Sequence, residues 1–128
     1  MSRIGRLKIK AQLYCGDELA MGPGKADLLD AIAREGSISA AGRAMGMSYR
    51  RSWLLVDSMN RCFVERLVET VAGGGAGRGA SLTPTGAAVL AAYRALEAAL
   101  AESAGSGAMA ELDVLLRSVP LPPVRDDS

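Results

Sequence analysis

Residues 39–53 constrain the fold of this chain more than any other stretch. They run Ser-Ala-Ala-Gly-Arg-Ala-Met-Gly-Met-Ser-Tyr-Arg-Arg-Ser-Trp. The small side chains of the first half allow a second helix to cross close by, and Gly46 can adopt the positive φ of a tight turn at little cost. Ser39 and Ser48 are favoured as N-terminal caps. The pattern predicts a helix-turn-helix, with a short first helix through Met45 and a longer second helix after Ser48.

The second helix is predicted to run to about Phe63. Its first turn is rich in polar and cationic side chains. In a helix-turn-helix this turn meets base edges and phosphates in the major groove of DNA. A serine hydroxyl and free backbone amides suit a phosphate oxygen. Arginine can bind guanine with two hydrogen bonds, and tyrosine can contact a phosphate or a thymine methyl. We therefore predict a DNA interface that includes Ser39, Arg43, Ser48, Tyr49, Arg50 and Arg51.

The alternative for this turn is an ordinary solvated face. Arg50 and Arg51 would then only face water, and Tyr49 and Trp53 would belong to the core. For an isolated pair of arginines that alternative would be favoured, but the position of this pair in a capped second helix favours DNA. Trp53 is expected to pack between this helix and the following hairpin rather than against bases.

The N-terminal region predicts a small hairpin followed by a helix. Residues 6–15 alternate, and the apolar side carries Leu7, Ile9, Ala11, Leu13 and Cys15. A period of two indicates a strand with one buried face. A turn at residues 16–17 and a return strand at residues 19–21 complete the hairpin. Helical spacing from Lys25 to Glu35 follows, with Gly36 as the C-terminal cap.

A glycine-rich loop at residues 73–79 separates two strand-like runs, at residues 67–71 and 80–82. A nucleotide-binding loop would require a helix to begin directly after it, whereas the next helix begins only at Thr83-Pro84. We expect instead a flexible hairpin, here called the wing, that follows the DNA backbone or enters the minor groove. Its predicted DNA contacts are Gly75, Gly77 and Arg78. A solvent loop without a role is the alternative.

The helix predicted over residues 83–104 is expected to mediate dimerisation. Its stripe at 4-3-4 spacing, the spacing of a coiled-coil seam, consists of Val89, Tyr93, Leu96 and Leu100. Surrounding alanines permit close helix approach, and the stripe is wider than a domain of this size can cover. A homodimer is the prediction, and packing onto its own chain is the alternative. Residues 1–104 form one domain in this interpretation, and residues 105–128 form a short helix and a disordered tail.

The composition excludes most enzyme classes. The chain has no histidine, which removes the usual general bases, nucleophile partners and zinc ligands. Cys15 and Cys62 stand far apart, in no metal-ligand spacing, and are expected as buried free thiols. We therefore expect no catalytic residue, no metal and no cofactor. Because no apolar run suits a membrane span or a secretory signal, the expected location is the cytoplasm.

Charge is unevenly distributed along the chain. Residues 1–83 hold 12 Lys and Arg against 8 Asp and Glu, whereas residues 84–128 hold 3 against 6. A basic first part and an acidic second part suit a protein whose DNA face and oligomer face are separate. The predicted fold is mainly α with small β, an α+β winged helix-turn-helix with an N-terminal β-hairpin and a long C-terminal dimerisation helix.

Several motifs in order resemble the N-terminal domain of the molybdate-responsive regulators, the ModE family, which is related to LysR-type DNA-binding domains. They are Gly36-Ser37-Ile38-Ser39-Ala40-Ala41, Met45-Gly46-Met47-Ser48-Tyr49-Arg50-Arg51-Ser52-Trp53, Met59-Asn60-Arg61, Leu67-Val68-Glu69-Thr70, the glycine-rich loop and Leu82-Thr83-Pro84-Thr85-Gly86. The resemblance covers about residues 5–104 and implies a winged helix-turn-helix that dimerises through its N- and C-terminal elements. The leading hypothesis is a transcription regulator that binds double-stranded DNA, and two-fold symmetry of the predicted dimer predicts an inverted-repeat operator.

The family's oxyanion-binding β-barrel modules have no counterpart expected after residue 104. The chain alone is therefore not expected to bind molybdate or another small molecule tightly, although a link to molybdate or tungstate metabolism is implied. The alternative function is a dimeric adaptor that has the same fold but no DNA contact. Four arginines on one surface (Arg43, Arg50, Arg51 and Arg78) would have no purpose in such an adaptor.

Overall fold

The structure, a computed structural model, describes residues 3–71 and 79–124. Within these residues the helices are α1 (Pro23–Glu35), α2 (Ile38–Ala44), α3 (Tyr49–Cys62), α4 (Pro84–Glu102) and α5 (Gly107–Leu115). A 3₁₀ turn (Ser103–Gly105) joins the last two. The strands are β1 (Arg3–Ile4), β2 (Leu7–Lys8), β3 (Leu13–Cys15), β4 (Glu18–Met21), β5 (Val68–Val71) and β6 (Gly79–Leu82).

The strands form three separate antiparallel pairs, β1 with β2, β3 with β4, and β5 with β6. Helices α1, α2 and α3 pack against one another as a three-helix unit, and the β5–β6 pair follows α3 along the chain as a wing. This arrangement confirms the predicted α+β winged helix-turn-helix.

One hydrophobic core joins β4, α1, α2, α3, the base of the wing and Tyr93 of α4. Its largest fully buried apolar side chains are Met21, Leu28, Leu29, Ile32, Met59, Leu67 and Val68. Burial of each such side chain contributes roughly 1.5–3 kcal/mol to folding. The core therefore fixes the angle at which α3 leaves the rest of the molecule.

The first helix of the helix-turn-helix begins earlier than predicted. Ser37, not Ser39, is the N-cap, and its Oγ accepts a hydrogen bond from Ala40 N at 3.1 Å. Gly36 lies directly before it with a φ of 81°, and its N–H bonds to Ile32 O at 2.9 Å. Because α1 ends in this left-handed turn, the next helix can begin at once, and Ser39 lies within the first turn of α2.

The single N-terminal strand predicted over residues 6–15 is wrong. Only β2 and β3 form there, and Leu13 and Cys15 at the end of the alternating set are exposed. The carbonyl oxygen of Ala11, between the two strands, accepts a hydrogen bond from Tyr93 Oη at 2.8 Å. This bond to α4 takes the place of a strand ladder at that point, and β3 pairs with β4 through an irregular register.

The cysteines also differ from expectation. Both are free thiols, but Cys15 is exposed and Cys62 only half-buried. Cys15 pairs across the hairpin with Glu18, whose carboxylate contacts α3. The hairpin thus brings Cys15 towards the C-terminal end of α3, which contains Cys62. Partial burial, as the largest cause, raises the pKa of Cys62.

Helix α4 is attached to the wing at one end and to α1 along its length. Thr83 caps it as predicted, accepting from Gly86 N at 2.9 Å, and Thr83 N donates to Leu67 O at 2.9 Å. Gly86 lies so close to Leu67 that a Cβ there would overlap the Leu67 carbonyl. Further along, Arg94 binds Asp27 at 2.8 Å and Asp30 at 2.6 Å on α1, and Glu97 at 2.8 Å on its own helix.

The short helix expected after residue 105 is α5, and residues 120–124 form neither helix nor strand. Arg6 holds this region against the N-terminus through Asp113 Oδ1 at 2.8 Å and the carbonyl of Arg117. Among the described residues, no helix combines the length and apolar character that a membrane crossing needs.

Candidate nucleic-acid interface

Helix α3 begins with a well-formed cap. Ser48 Oγ accepts a hydrogen bond from Arg51 N at 3.1 Å, as predicted. The turn before it contains Gly46 at a φ of 71°, a conformation that costs other residues about 1 kcal/mol or more. Met45 and Met47 on either side pack against the core. These contacts determine where the first turn of α3 projects.

The two helices of the helix-turn-helix cross at Gly42 and Ser52. A Cβ built on Gly42 would overlap Ser52 Oγ and lie 3.2 Å from Ser52 Cβ. Ser52 is fully buried, and its hydroxyl donates to Ser48 O at 2.9 Å. The close crossing that the small residues of α2 predicted is therefore present.

The outer face of α3 consists of Tyr49, Arg50, Trp53 and Leu54, all exposed. Arg51 is exposed beside it. The interpretation of Tyr49 and Trp53 as core residues is wrong, because Tyr49 is 59% exposed and Trp53 is 46% exposed. Arg50 and Arg51 form no ion pair with any described residue, so their charge is available to a partner.

At the C-terminal end of α3, the arginine is paired with carboxylates. Arg61 binds Glu18 at 2.7 Å and Asp57 at 3.0 Å. The hydrogen bond from Arg61, helped by one from Ser58 at 2.5 Å, lowers the pKa of the Glu18 carboxyl. The cationic surface of α3 is thus concentrated in its first turn.

A buried lysine joins this end of α3 to the rest of the fold. Lys25 of α1 is only 7% exposed and donates to Ser58 Oγ at 3.0 Å and to the carbonyl of Leu19. Desolvation lowers the pKa of Lys25. Because Ser58 also donates to Glu18, the ammonium group, hydroxyl and carboxylate form one chain of contacts across three elements.

The other predicted members of the interface surround the first turn of α3. Ser39 is half-buried and shares a cleft of about 180 Å³ with Tyr49, Trp53 and Thr70 of β5. Arg43 is exposed in the last turn of α2. Trp53 therefore faces the wing, as expected, while almost half of its surface remains open.

The wing is anchored to α3 by Asn60. Its Oδ1 accepts hydrogen bonds from Leu67 N at 2.8 Å and Val68 N at 3.1 Å, and its Nδ2 donates to Val68 O at 3.2 Å. The predicted wing contacts Gly75, Gly77 and Arg78 lie outside the described residues. Only the base of the wing is therefore placed relative to α3.

The predicted dimerisation stripe of α4 is divided in the structure. Tyr93 is 2% exposed and packs in the chain's own core. Its hydroxyl donates a hydrogen bond to the Ala11 carbonyl within the same chain. Val89 and Leu100 are half-buried, and Leu96 is 38% exposed. Tyr93 is thus buried within its own chain, and Leu96 is the most accessible member of the stripe.

Leu54 is a candidate contact that the sequence analysis missed. It is 48% exposed, lies one turn after Arg50 on the outer face of α3, and so occupies the same side of the helix. An apolar side chain there can contact a thymine methyl. The i, i+4 spacing from Arg50 was the available signal, but leucine in a helix is more often a core residue.

Comparison with known proteins gives matches to longer proteins, some of which are named for molybdenum. The molybdenum-pterin-binding protein MopB of Rhodobacter capsulatus is 48% identical over 82 residues, 64% of this chain and 30% of MopB. The molybdenum transport protein ModE of Azotobacter vinelandii is 49% identical over 70 residues, 55% of this chain and 26% of that protein.

The DNA-binding transcriptional dual regulator ModE of Escherichia coli (strain K12) is 34% identical over 87 residues, 68% of this chain and 31% of that regulator. The matched region thus spans less than a third of each of these curated relatives. No protein-family model matches the chain.

Proposed function

The N-terminal 60% or so of this chain is homologous to the ModE and Mop proteins, and from this premise we propose that the chain is a sequence-specific transcription regulator that binds double-stranded DNA as a homodimer. Its site is an inverted repeat, because each subunit of a two-fold dimer places one recognition helix in one half-site. Helix α3 is the recognition helix.

One observation carries this proposal. Arg50 and Arg51 stand exposed in the first turn of a capped helix and have no carboxylate partner among residues 3–71 and 79–124. Elsewhere in the chain, Arg61 and Arg94 are each held by two or three carboxylates. The name of the Escherichia coli relative states DNA binding and transcriptional regulation, which supports the same assignment.

The test is selection from a library of random DNA duplexes by the immobilised protein. Wild type and an Arg117→Ala control, which removes an exposed arginine beyond α5, are expected to enrich one common motif. The double variant Arg50→Ala/Arg51→Ala is expected to enrich none while its thermal unfolding is unchanged. If the double variant enriched the wild-type motif equally well, the adaptor without DNA contact would be the better assignment.

We also propose that this chain alone does not bind molybdate tightly. The names of the Rhodobacter and Azotobacter relatives state molybdenum-pterin binding and molybdenum transport, but the chain matches less than a third of each of these proteins. A tetrahedral dianion needs several donors that converge in a protected pocket. Calorimetric titration with molybdate, against sulfate as the control anion, is expected to show no stoichiometric binding, and micromolar affinity for molybdate would contradict it.

A further inference from the structure

A cleft of about 270 Å³ lies between the N-terminal segment, the start of α1 and α3. We call it the basic cleft, because the charged residues among its described lining are all cations, namely Lys10, Lys25 and Arg51. Gln12 lines it as well, and none of the lining residues within the described part of the chain is Asp or Glu. Its position is on the side of α3 away from the wing.

Two of the three cations are free to bind an anion. Lys25 is buried and already bonded to Ser58 and to the Leu19 carbonyl. Lys10 and Arg51 are both exposed, and within the described part of the chain neither forms an ion pair. An ammonium and a guanidinium group share one cleft, and none of the described residues that line this cleft is acidic. Such a cleft favours an anionic ligand.

The direction of Arg51 separates it from Arg50. Consecutive residues of a helix point about 100° apart. Arg51 lies two turns before Ser58, on the flank that contacts α1 and β4. Trp53 lies on the opposite flank and shares a cleft with Thr70 of the wing. The outer face that carries Arg50 and Leu54 therefore has the basic cleft on one side and the wing on the other.

A helix in the major groove has a sugar-phosphate backbone on each side, because the groove is only about 12 Å wide. We propose that the basic cleft is a binding site for a DNA backbone phosphate, held by Lys10 and Arg51 with Gln12 as a further donor. This inference rests on the proposed function. It leaves Arg50 as the arginine that contacts base edges, and it adds a contact from outside the helix-turn-helix.

The test uses Lys10→Ala with Lys8→Ala as its matched control. Lys8 is exposed on the same segment but does not line the basic cleft. Binding to a selected duplex and to a scrambled duplex is measured over a range of salt concentrations. Lys10→Ala is expected to weaken both by the same factor, roughly three- to tenfold, and to reduce the slope of log K against log salt by about 0.9. Lys8→Ala should leave that slope unchanged.

Ethylation interference on the selected duplex provides a readout that a merely structural role would not change. Wild type should be blocked by ethylation of a phosphate at the edge of each half-site, and Lys10→Ala should lose that signal alone. If Lys10→Ala and Lys8→Ala gave the same affinities and salt slopes, the inference would be overturned. Binding of the wild type to the selected duplex would still support the proposed function. A Lys10→Ala effect confined to one base position would also overturn it, and a wild type that selects no DNA would remove the proposed function itself.

Discussion

Gly42 of α2 lies directly against Ser52 of α3, with no space for a side chain between them. Alanine at position 42 would improve intrinsic helix propensity by at most about 1 kcal/mol. Overpacking of a closed helix crossing costs about 1–3 kcal/mol, so the clash outweighs that gain. We expect Gly42→Ala to lower the free energy of unfolding, measured in urea, and to weaken DNA binding.

Gly24 supplies the matched control for this change. It is also a helical glycine, but a Cβ there meets nothing within 4 Å. Gly24→Ala should therefore leave stability unchanged or raise it by about 0.5–1 kcal/mol. Adding Ser52→Ala to Gly42→Ala should restore part of the loss. If Gly42→Ala and Gly24→Ala were equally stable, the crossing of α2 and α3 would have room for a methyl group, which would contradict the close contact between Gly42 and Ser52.

Asn60 is expected to stabilise the attachment of the wing to α3. Asn60→Ala removes the acceptor of Leu67 N and Val68 N, two amides of fully buried residues, and should cost about 1–3 kcal/mol of unfolding free energy. Asn60→Asp keeps that acceptor and loses only the bond donated to Val68 O. Chemical denaturation should rank the aspartate variant between wild type and alanine. A loss below about 0.5 kcal/mol for Asn60→Ala would contradict this role.

The two thiols should react at different rates. Burial raises the pKa of Cys62, so at a given pH less of it is the nucleophilic thiolate. Cys15 is exposed. Alkylation of the native protein between pH 7 and pH 9, followed by peptide mass spectrometry, should modify Cys15 first. Cys62 should react only as the pH rises, and in denaturant the difference should vanish. Faster modification of Cys62 in the native protein would contradict its placement.

Dimerisation is expected to depend on Leu96. Leu96→Glu places a charge on the most accessible member of the α4 stripe and should yield a monomer in sedimentation velocity, with much weaker binding to DNA. Ala95→Glu is the control, because Ala95 is also exposed but points about 100° further around the helix. A wild-type protein that sediments as a monomer at micromolar concentration would exclude the proposed homodimer.

Local signals in the sequence were sufficient where one residue controls its own backbone. The caps Ser48 and Thr83 and the left-handed Gly36 and Gly46 could be assigned from residue type and spacing. The predicted cap at Ser39 was wrong because Ser37, adjacent to the end of α1, takes that role. Two serines in one turn offer the same chemistry, and only the path of the preceding helix distinguishes them.

Long-range contacts account for what the sequence could not provide. The hydrogen bond between Tyr93 and Ala11 joins residues 82 positions apart, interrupts the expected N-terminal strand and withdraws Tyr93 from the surface of α4. The basic cleft likewise depends on the N-terminal segment passing beside α3. Periodicity along one element contains no information on which distant element will lie against it.

The affinity of the wild-type protein for its selected duplex, relative to a scrambled duplex of equal length at physiological salt, tests the proposed function most directly. A sequence-specific regulator should bind the selected duplex at least about 10³-fold more tightly than the scrambled duplex. The Arg50→Ala variant should show a smaller ratio of the two affinities, while its affinity for the scrambled duplex stays close to that of the wild type. A ratio near one for the wild-type protein would contradict sequence-specific recognition by α3.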